Sequence, residues 1–355
     1  MTESTTGMWP SPAAFSVEGA ALPRDRRQPG MRVLLTHPVD SRALTRLVER
    51  TDLSVWPGPY PIPVENLVSE LASQDGLLCL LGDPVSSTAL EHGPRLRVVA
   101  NLAVGYDNID VAAASRLGIA VTNTPDVLTE ATAELTWAVL LALVRGVVPA
   151  RQALLDDEWR YWSPTGFLGR GLGGKTLGVV GLGRIGQEVA ARAAAFGMAV
   201  VALGSRGQGP YPRLERGAFL AAADVVTLHV PLTQDTRGMV DESFLAAMKP
   251  GAFLVNTARG GLVDEDALLA ALSGGRLAGA ALDVFDREPV NGQHPLASHP
   301  RVLATPHIGS ATVETRAAMA DRAVGNLLMA LAGQRPHDLV NPAAWPGRSR
   351  CSPLP

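Results

Sequence analysis

From Met31 to about residue 332, short continuous apolar runs alternate with longer segments whose apolar positions recur at helical spacing. The runs at 32–36, 77–80, 97–102, 176–180, 200–203, 225–228, 252–256, 278–282 and 302–304 are expected as strands. Helices are expected over 41–49, 134–144, 187–196, 242–248, 264–272 and 311–332. Strict alternation of this kind predicts parallel sheets with helices on both faces. The strands are apolar throughout rather than every second residue, as a sheet covered on both sides requires. No internal repeat or heptad pattern is present.

One junction in this pattern carries chemistry. Gly181-Leu182-Gly183-Arg184-Ile185-Gly186 lies between the apolar run ending at Val180 and a helical segment. G-x-G-x-x-G in that position is a dinucleotide fingerprint: a tight turn, a close approach of backbone to pyrophosphate, and a helix packed closely on its strand. A second glycine string, Gly169 to Thr176, matches the P-loop pattern G-x-x-x-x-G-K-[ST] letter for letter. It precedes a strand instead of following one, so its N–H groups have no helix start to converge on, and nucleotide hydrolysis is set aside.

The fingerprint lies in mid-chain, and the residues before it suffice for a separate domain. The expected fold is α/β, with two doubly wound, Rossmann-like parallel-sheet domains and an interdomain cleft. The nucleotide domain is expected to be inserted into a discontinuous substrate domain. The expected divisions are a disordered extension over 1–30, the substrate domain over 31–130 and 311–341, the nucleotide domain over 131–310, and a mobile tail over 342–355. The two longest helical segments are expected to form the crossings between domains, and 207–212 reads as a Gly/Pro-rich loop.

Composition narrows the partners. The 355 residues are 46% hydrophobic and 18% charged, with net charge −3, so no basic field favours nucleic acid. The longest apolar run, 135–144, is too short to span a bilayer, and the first thirty residues lack the basic-then-apolar order of a secretory signal. Cys79 and Cys351 form neither a disulfide framework nor a C-x-x-C pair, so a reducing, cytoplasmic setting is expected. No metal cluster is expected.

The second strand of a dinucleotide fold usually ends in an acidic residue that holds the ribose 2′-OH of NAD. Here the strand ends in Gly204-Ser205-Arg206, and the first carboxylate beyond it is Glu215. A hydroxyl and an arginine favour a 2′-phosphate, so NADPH is expected over NADH, with NAD also usable.

Three further residues follow strand ends, where open α/β sheets place their ligands. They are Arg259 in Asn256-Thr257-Ala258-Arg259-Gly260, Glu288 in Asp286-Arg287-Glu288-Pro289, and His307 in Thr305-Pro306-His307-Ile308-Gly309. The other histidines, 37, 92, 229, 294, 299 and 337, lack such company and are expected to be structural.

At this point the chain resembles the D-isomer-specific 2-hydroxyacid dehydrogenases. The matching strings are Ala103-Val104-Gly105-Tyr106-Asp107-Asn108-Ile109-Asp110, the fingerprint, 256–260, 282–289, and Pro306-His307-Ile308-Gly309-Ser310-Ala311-Thr312. They stand in the family's order across residues 31–341. Details at 75–81, at Trp162-Ser163-Pro164 and at 204–206 look most like glyoxylate/hydroxypyruvate reductases.

The resemblance implies that hydride passes between nicotinamide and the substrate's C2, with His307 as the acid in reduction. Glu288 would bond the other ring nitrogen. Arg259 would hold the 2-oxo acid, and the backbone N–H groups of Val104 and Gly105 would take its carboxylate. Thr132, Thr257, Ala258, Asp283 and Gly309 would lie near the cofactor, and Trp162 would contact substrate in a partner subunit of a homodimer. The stretch 207–223 looks shorter than the family's helix-bearing segment, which would leave the adenine side more open. Two alternatives stay open: the same chemistry on a larger acid such as 2-ketogluconate, or a dinucleotide-sensing binding protein of the same fold.

Overall fold

The apolar runs pair into two parallel sheets. The structure, a computed structural model, describes residues 30–207 and 209–345, without the side chains of 205–207. The chain forms two units. One runs to Asn101, resumes over Asp110–Thr122 and again from Ala320, and the other comprises Leu102–Ile109 and Asn123–Met319. The second unit is thus interposed in the chain of the first.

The first unit contains β1 (Arg32–Leu35), α1 (Ser41–Arg50), β2 (Asp52–Val55), α2 (Val64–Leu71), β3 (Gly76–Cys79), α3 (Ser87–Glu91), β4 (Val98–Asn101), α4 (Val111–Arg116) and β5 (Ala120–Thr122). Its sheet has the order β2-β1-β3-β4-β5, with all neighbours parallel. Every residue of β3 and β4 is buried, which is why their sequences show no alternation. Aspartate and serine set the helix starts: Asp40 accepts from the Arg42 N–H, Ser86 from Ala89 and Asp110 from Ala113.

The second unit contains α5 (Thr129–Val144), α6 (Val147–Leu155), β6 (Thr176–Leu182), α7 (Arg184–Ala193), β7 (Ala199–Gly207), α8 (Arg216–Ala222), β8 (Val225–Leu228), α9 (Glu242–Ala247), β9 (Ala252–Asn256), α10 (Glu265–Ser273), β10 (Leu277–Leu282) and β11 (Val302–Ala304). A last helix, α11 (Val313–Leu331), carries the chain back to the first unit. The six strands lie in the order β11-β10-β9-β8-β6-β7. Alternate residues of each strand serve opposite faces. Leu177, Val179, Phe253 and Val255 join Trp137 and Val189 in one core, while Val180, Val226, Leu228 and Leu254 join Phe219 and Phe244 in the other.

Several bounds differ from expectation. Helix α5 starts at Thr129 rather than 134, because its first turns bury Ala131, Thr132 and Ala133, residues too small to register as an apolar stripe. It does not form a crossing, since the chain enters the second unit at Asn123, before α5 begins. Helix α7 starts inside the fingerprint at Arg184, and its last expected turn is a 3₁₀ turn ended by Gly197 at φ 65°. The stretch after β7 holds one short helix, α8, of seven residues. The chain is anchored where the expected tail begins: Asn341 Oδ1 accepts from Val121 N at 2.8 Å, Asn341 Nδ2 donates to Ile119 O at 2.9 Å, and within the tail Ala344 is buried in the short 3₁₀ turn Pro342–Ala344. The expected extension up to residue 29 and the tail beyond 345 lie outside the described residues. No single helix among the described residues is long and apolar enough to cross a membrane.

Candidate active site

The register of the six-stranded sheet brings most of the expected residues into one row. Val180 pairs with Leu203 on one side and Leu228 on the other. Leu228 pairs with Asn256, Asn256 with Leu282, and Leu282 with Ala304. The next residues on these strands are Gly181, Gly204, His229, Thr257, Asp283 and Thr305. The fingerprint and the segments bearing Arg259, Glu288 and His307 therefore leave the sheet at the same edge, level with Gly204, beyond which β7 runs on to Gly207. Strand β6 lies between β7 and β8, so the fingerprint marks the switch point where such sheets bind ligands.

The fingerprint is shaped for a phosphate. Gly181 takes φ 93°, and a Cβ on Gly186 would overlap the Gly181 carbonyl oxygen, so α7 can rest against β6 only with glycine there. A Cβ on Gly183 would meet nothing within 4 Å. Gly183 caps α7 without a side-chain hydrogen bond, so the N–H groups of the first helical turn face open space beside Leu182. The Arg184 side chain is drawn to Asp126 at 2.5 Å, which leaves the backbone of Arg184 and Ile185 as the anion-binding element. This cradle fits a dinucleotide pyrophosphate.

The histidine and glutamate are in contact. His307 Nδ1 lies 2.7 Å from Glu288 Oε2, and Glu288 Oε1 accepts from the Phe285 N–H at 2.9 Å. Burial pushes the Glu288 carboxyl up, but the hydrogen bond and charge of His307, the Phe285 N–H and the charge of Arg259 together hold it below its usual value. With Nδ1 engaged, Nε2 is the ring nitrogen left for a substrate. His229, also at a strand end, is different: burial pushes it down to about 3, and it lies 2.9 Å from Thr227 Oγ1, so it stays neutral.

His307 sits at φ 54°, in a region that non-glycine residues rarely adopt. Asp283, 1% exposed, accepts from Thr305 Oγ1, Ile308 N and Gly309 N around it. Burial pushes the Asp283 carboxyl up against those bonds. Thr132 lies close by, since a Cβ on Gly309 would stand 3.6 Å from Thr132 Oγ1. Thr257 shares a 2.8 Å hydrogen bond with Thr136 Oγ1.

Arg259 is set by two neighbours of its own loop and by the 102–109 segment. Asn256 Nδ2 donates to the Arg259 carbonyl and Asn256 Oδ1 accepts from Ala258 N, fixing the turn. The Arg259 guanidinium donates from Nε to Asp107 Oδ1 at 2.9 Å and packs against Gly105, where a Cβ would overlap Nη2. Asn123 Nδ2 donates to the Val104 carbonyl at 2.7 Å, steadying the same segment.

Trp162 is not in this group: it stands 78% exposed on the segment after α6. The side chains of Ser205 and Arg206 lie outside the described residues. Asp107, Asn256 and Arg213 join the site beyond the residues expected from sequence. Arg213 Nη1 donates to the Gly204 carbonyl at 2.8 Å, which brings this arginine alongside β7. An asparagine closing a strand is a recognisable turn signal. The Asp107 contact spans 152 positions of chain, and the Arg213 contact nine, across the turn that follows β7. Among the described residues no group of His, Cys, Asp and Glu is placed to hold a metal ion.

The profile of the D-isomer specific 2-hydroxyacid dehydrogenase NAD-binding domain matches residues 137–309. A glyoxylate reductase of Aeropyrum pernix is 46% identical over 321 residues, covering 87% of this chain and 96% of the relative. The crystal structure of a glyoxylate reductase from Paecilomyes thermophila superposes with a TM-score of 0.79 at 32% identity, over 88% of this chain and 99% of that one. An NADPH-dependent glyoxylate/hydroxypyruvate reductase from Sinorhizobium meliloti, solved with NADP and malonate, gives a TM-score of 0.78 at 34% identity, over 89% of this chain and 98% of that one. The chain belongs to the D-isomer specific 2-hydroxyacid dehydrogenases, a family of oxidoreductases with a nicotinamide-dinucleotide domain.

Proposed function

We propose that this protein is an NADPH-preferring reductase of small 2-oxo acids, glyoxylate or hydroxypyruvate, forming the D-2-hydroxy acid where the product is chiral. The observation that carries this reading is the 2.7 Å His307–Glu288 pair on the same sheet edge as Arg259 and the phosphate cradle. Bound reduced cofactor supplies a hydride to the substrate's C2. Arg259 holds the anionic substrate and polarises its carbonyl, where negative charge grows as hydride arrives. The Val104 and Gly105 N–H groups take the carboxylate. His307 gives the Nε2 proton to the carbonyl oxygen, and Glu288 balances the imidazolium and fixes the ring. In oxidation the same nitrogen takes the proton back.

The NADPH preference rests on Arg206 and the missing acid in the sequence, with Arg213 close by at Gly204. A homodimer is supported by the segment from α6 onward: Leu154, Leu155, Trp159, Phe167 and Leu168 are all more than half exposed, a concentration of apolar surface typical of an interface. Trp162, 78% exposed, belongs to the same segment and would reach the partner's substrate.

The test is nicotinamide oxidation with glyoxylate, hydroxypyruvate, pyruvate and 2-ketogluconate in parallel. Turnover of the first two with NADPH favoured is expected. Turnover of 2-ketogluconate alone would replace the substrate. Tight cofactor binding without turnover of any acid would favour a dinucleotide sensor.

A further inference from the structure

Arginine offers a carboxylate two forks, one end-on from Nη1 and Nη2 and one side-on from Nε and Nη2. In Arg259 the side-on fork is already taken on one prong. Nε donates to Asp107 Oδ1 at 2.9 Å, and Nη1 spends one hydrogen on the Ala258 carbonyl at 2.8 Å. Nη2 lies against Gly105, and a Cβ there would overlap it while standing 3.0 Å from Asp107 Oδ1. Gly105, Asp107 and Arg259 therefore form one closed contact, with the space for the guanidinium and the acceptor for its Nε supplied by the same short loop. The pair is half-buried, with side-chain exposures of 21% for Arg259 and 36% for Asp107, so water screens it less than an open surface pair.

We propose that Asp107 is a positioning residue that closes the side-on fork of Arg259, so that a 2-oxo acid can be held only through the Nη end. This rests on the reading of Arg259 as the substrate-holding residue. Without Asp107 the guanidinium gains a second way to grip a carboxylate, turned from the first. Substrate held that way is bound but misplaced relative to His307. The signature is non-productive binding, in which kcat falls while KM does not rise.

The experiment compares the wild-type protein with Asp107→Ala, Asp107→Asn and Asp107→Glu. Glyoxylate kinetics are read together with calorimetric binding of oxamate, an unreactive 2-oxo acid mimic, to the cofactor-loaded protein. Asp107→Ala is expected to lower kcat and KM for glyoxylate together, each about tenfold, with oxamate bound more tightly by about the same factor. Asp107→Glu, which keeps charge and acceptor, is expected to recover part of kcat, and Asp107→Asn to fall between. Cofactor affinity is expected to stay unchanged in all three. A raised KM with unchanged kcat, unchanged kinetics, or weaker oxamate binding in Asp107→Ala overturns the proposal. If wild type turns over no 2-oxo acid, the proposed activity fails, and the oxamate comparison still decides the role of Asp107.

Discussion

Asp283 holds the turn on which His307 sits. Its Oδ1 accepts from Thr305 Oγ1 at 2.6 Å and Ile308 N at 2.8 Å, its Oδ2 from Gly309 N at 2.9 Å, and its own carbonyl from His307 N at 2.9 Å. The backbone of His307 is left-handed at φ 54°, a strained state that persists only where its surroundings impose it. Asp283→Ala is expected to cost about 3 kcal/mol by leaving buried donors unpaired, and to lower kcat at least about tenfold. Urea unfolding and saturating turnover check the two effects.

The Glu288–His307 pair sets a pH window. Glu288 is held below its usual value of 4.5, so it is ionised throughout the neutral range. For a carboxyl depressed by folding, the stabilising contribution is complete above the unfolded value and is lost as pH falls through the folded one. Wild-type turnover is therefore expected to hold from neutral pH down to about 5 without loss of the Glu288 charge. Glu288→Gln keeps an acceptor for Nδ1 but removes the charge that balances imidazolium. It is expected to lower kcat roughly a hundredfold and to move the reduction profile toward acid. A pH series of kcat in both proteins is the check.

Gly186→Ala places a methyl group on the Gly181 carbonyl oxygen. Helix α7 must then retreat from β6, and the N–H groups that face the phosphates move with it. Cofactor affinity is expected to fall about tenfold or more, with stability lowered by roughly 1–3 kcal/mol. Fluorescence titration with NADPH and thermal unfolding measure each.

Charging the apolar face after α6 tests the dimer. Leu155 and Trp159 are each 56% exposed, so Leu155→Asp and Trp159→Asp disturb little within the subunit. Sedimentation is expected to shift from dimer to monomer. A wild-type protein that sediments as a monomer would remove the interface.

Cofactor preference should follow the charge at the end of β7. Arg206→Asp is expected to lower the NADPH-to-NADH ratio of kcat/KM by about a hundredfold, through loss of a cation and gain of an anion facing a phosphate. An unchanged ratio would shift that role to Arg213.

The sequence disclosed most of the second sheet and little of the first sheet's outer strands. Strand β9 reads Ala-Phe-Leu-Val-Asn with all five residues buried, a run no loop would carry. Strand β2 reads Asp-Leu-Ser-Val at a sheet edge with none buried, so its alternation spans only four residues and marks no buried face to detect. Strand β5 is only three residues long. Helix α8 was concealed by its length and by Gly217, and α6 by Pro149 in its first turn. In the site, Arg259, Glu288 and His307 were legible because each follows a strand end. Asp107 stands within the 103–110 string, but its contact spans 152 positions of chain and no local pattern encodes it.

The common register of β9, β10 and β11 makes the protein unevenly tolerant of changes in length. A one-residue slip of a strand moves every side chain by about 3.3 Å and turns it to the opposite face. A deletion inside β10 would carry Asp283 away from the His307 turn by more than a hydrogen bond can follow. A deletion of the same size among the exposed residues 291–293 changes only the path between two strands whose ends stay aligned. Lineages are thus free to vary the connections at this edge, while the strands themselves accept substitution but not insertion or loss.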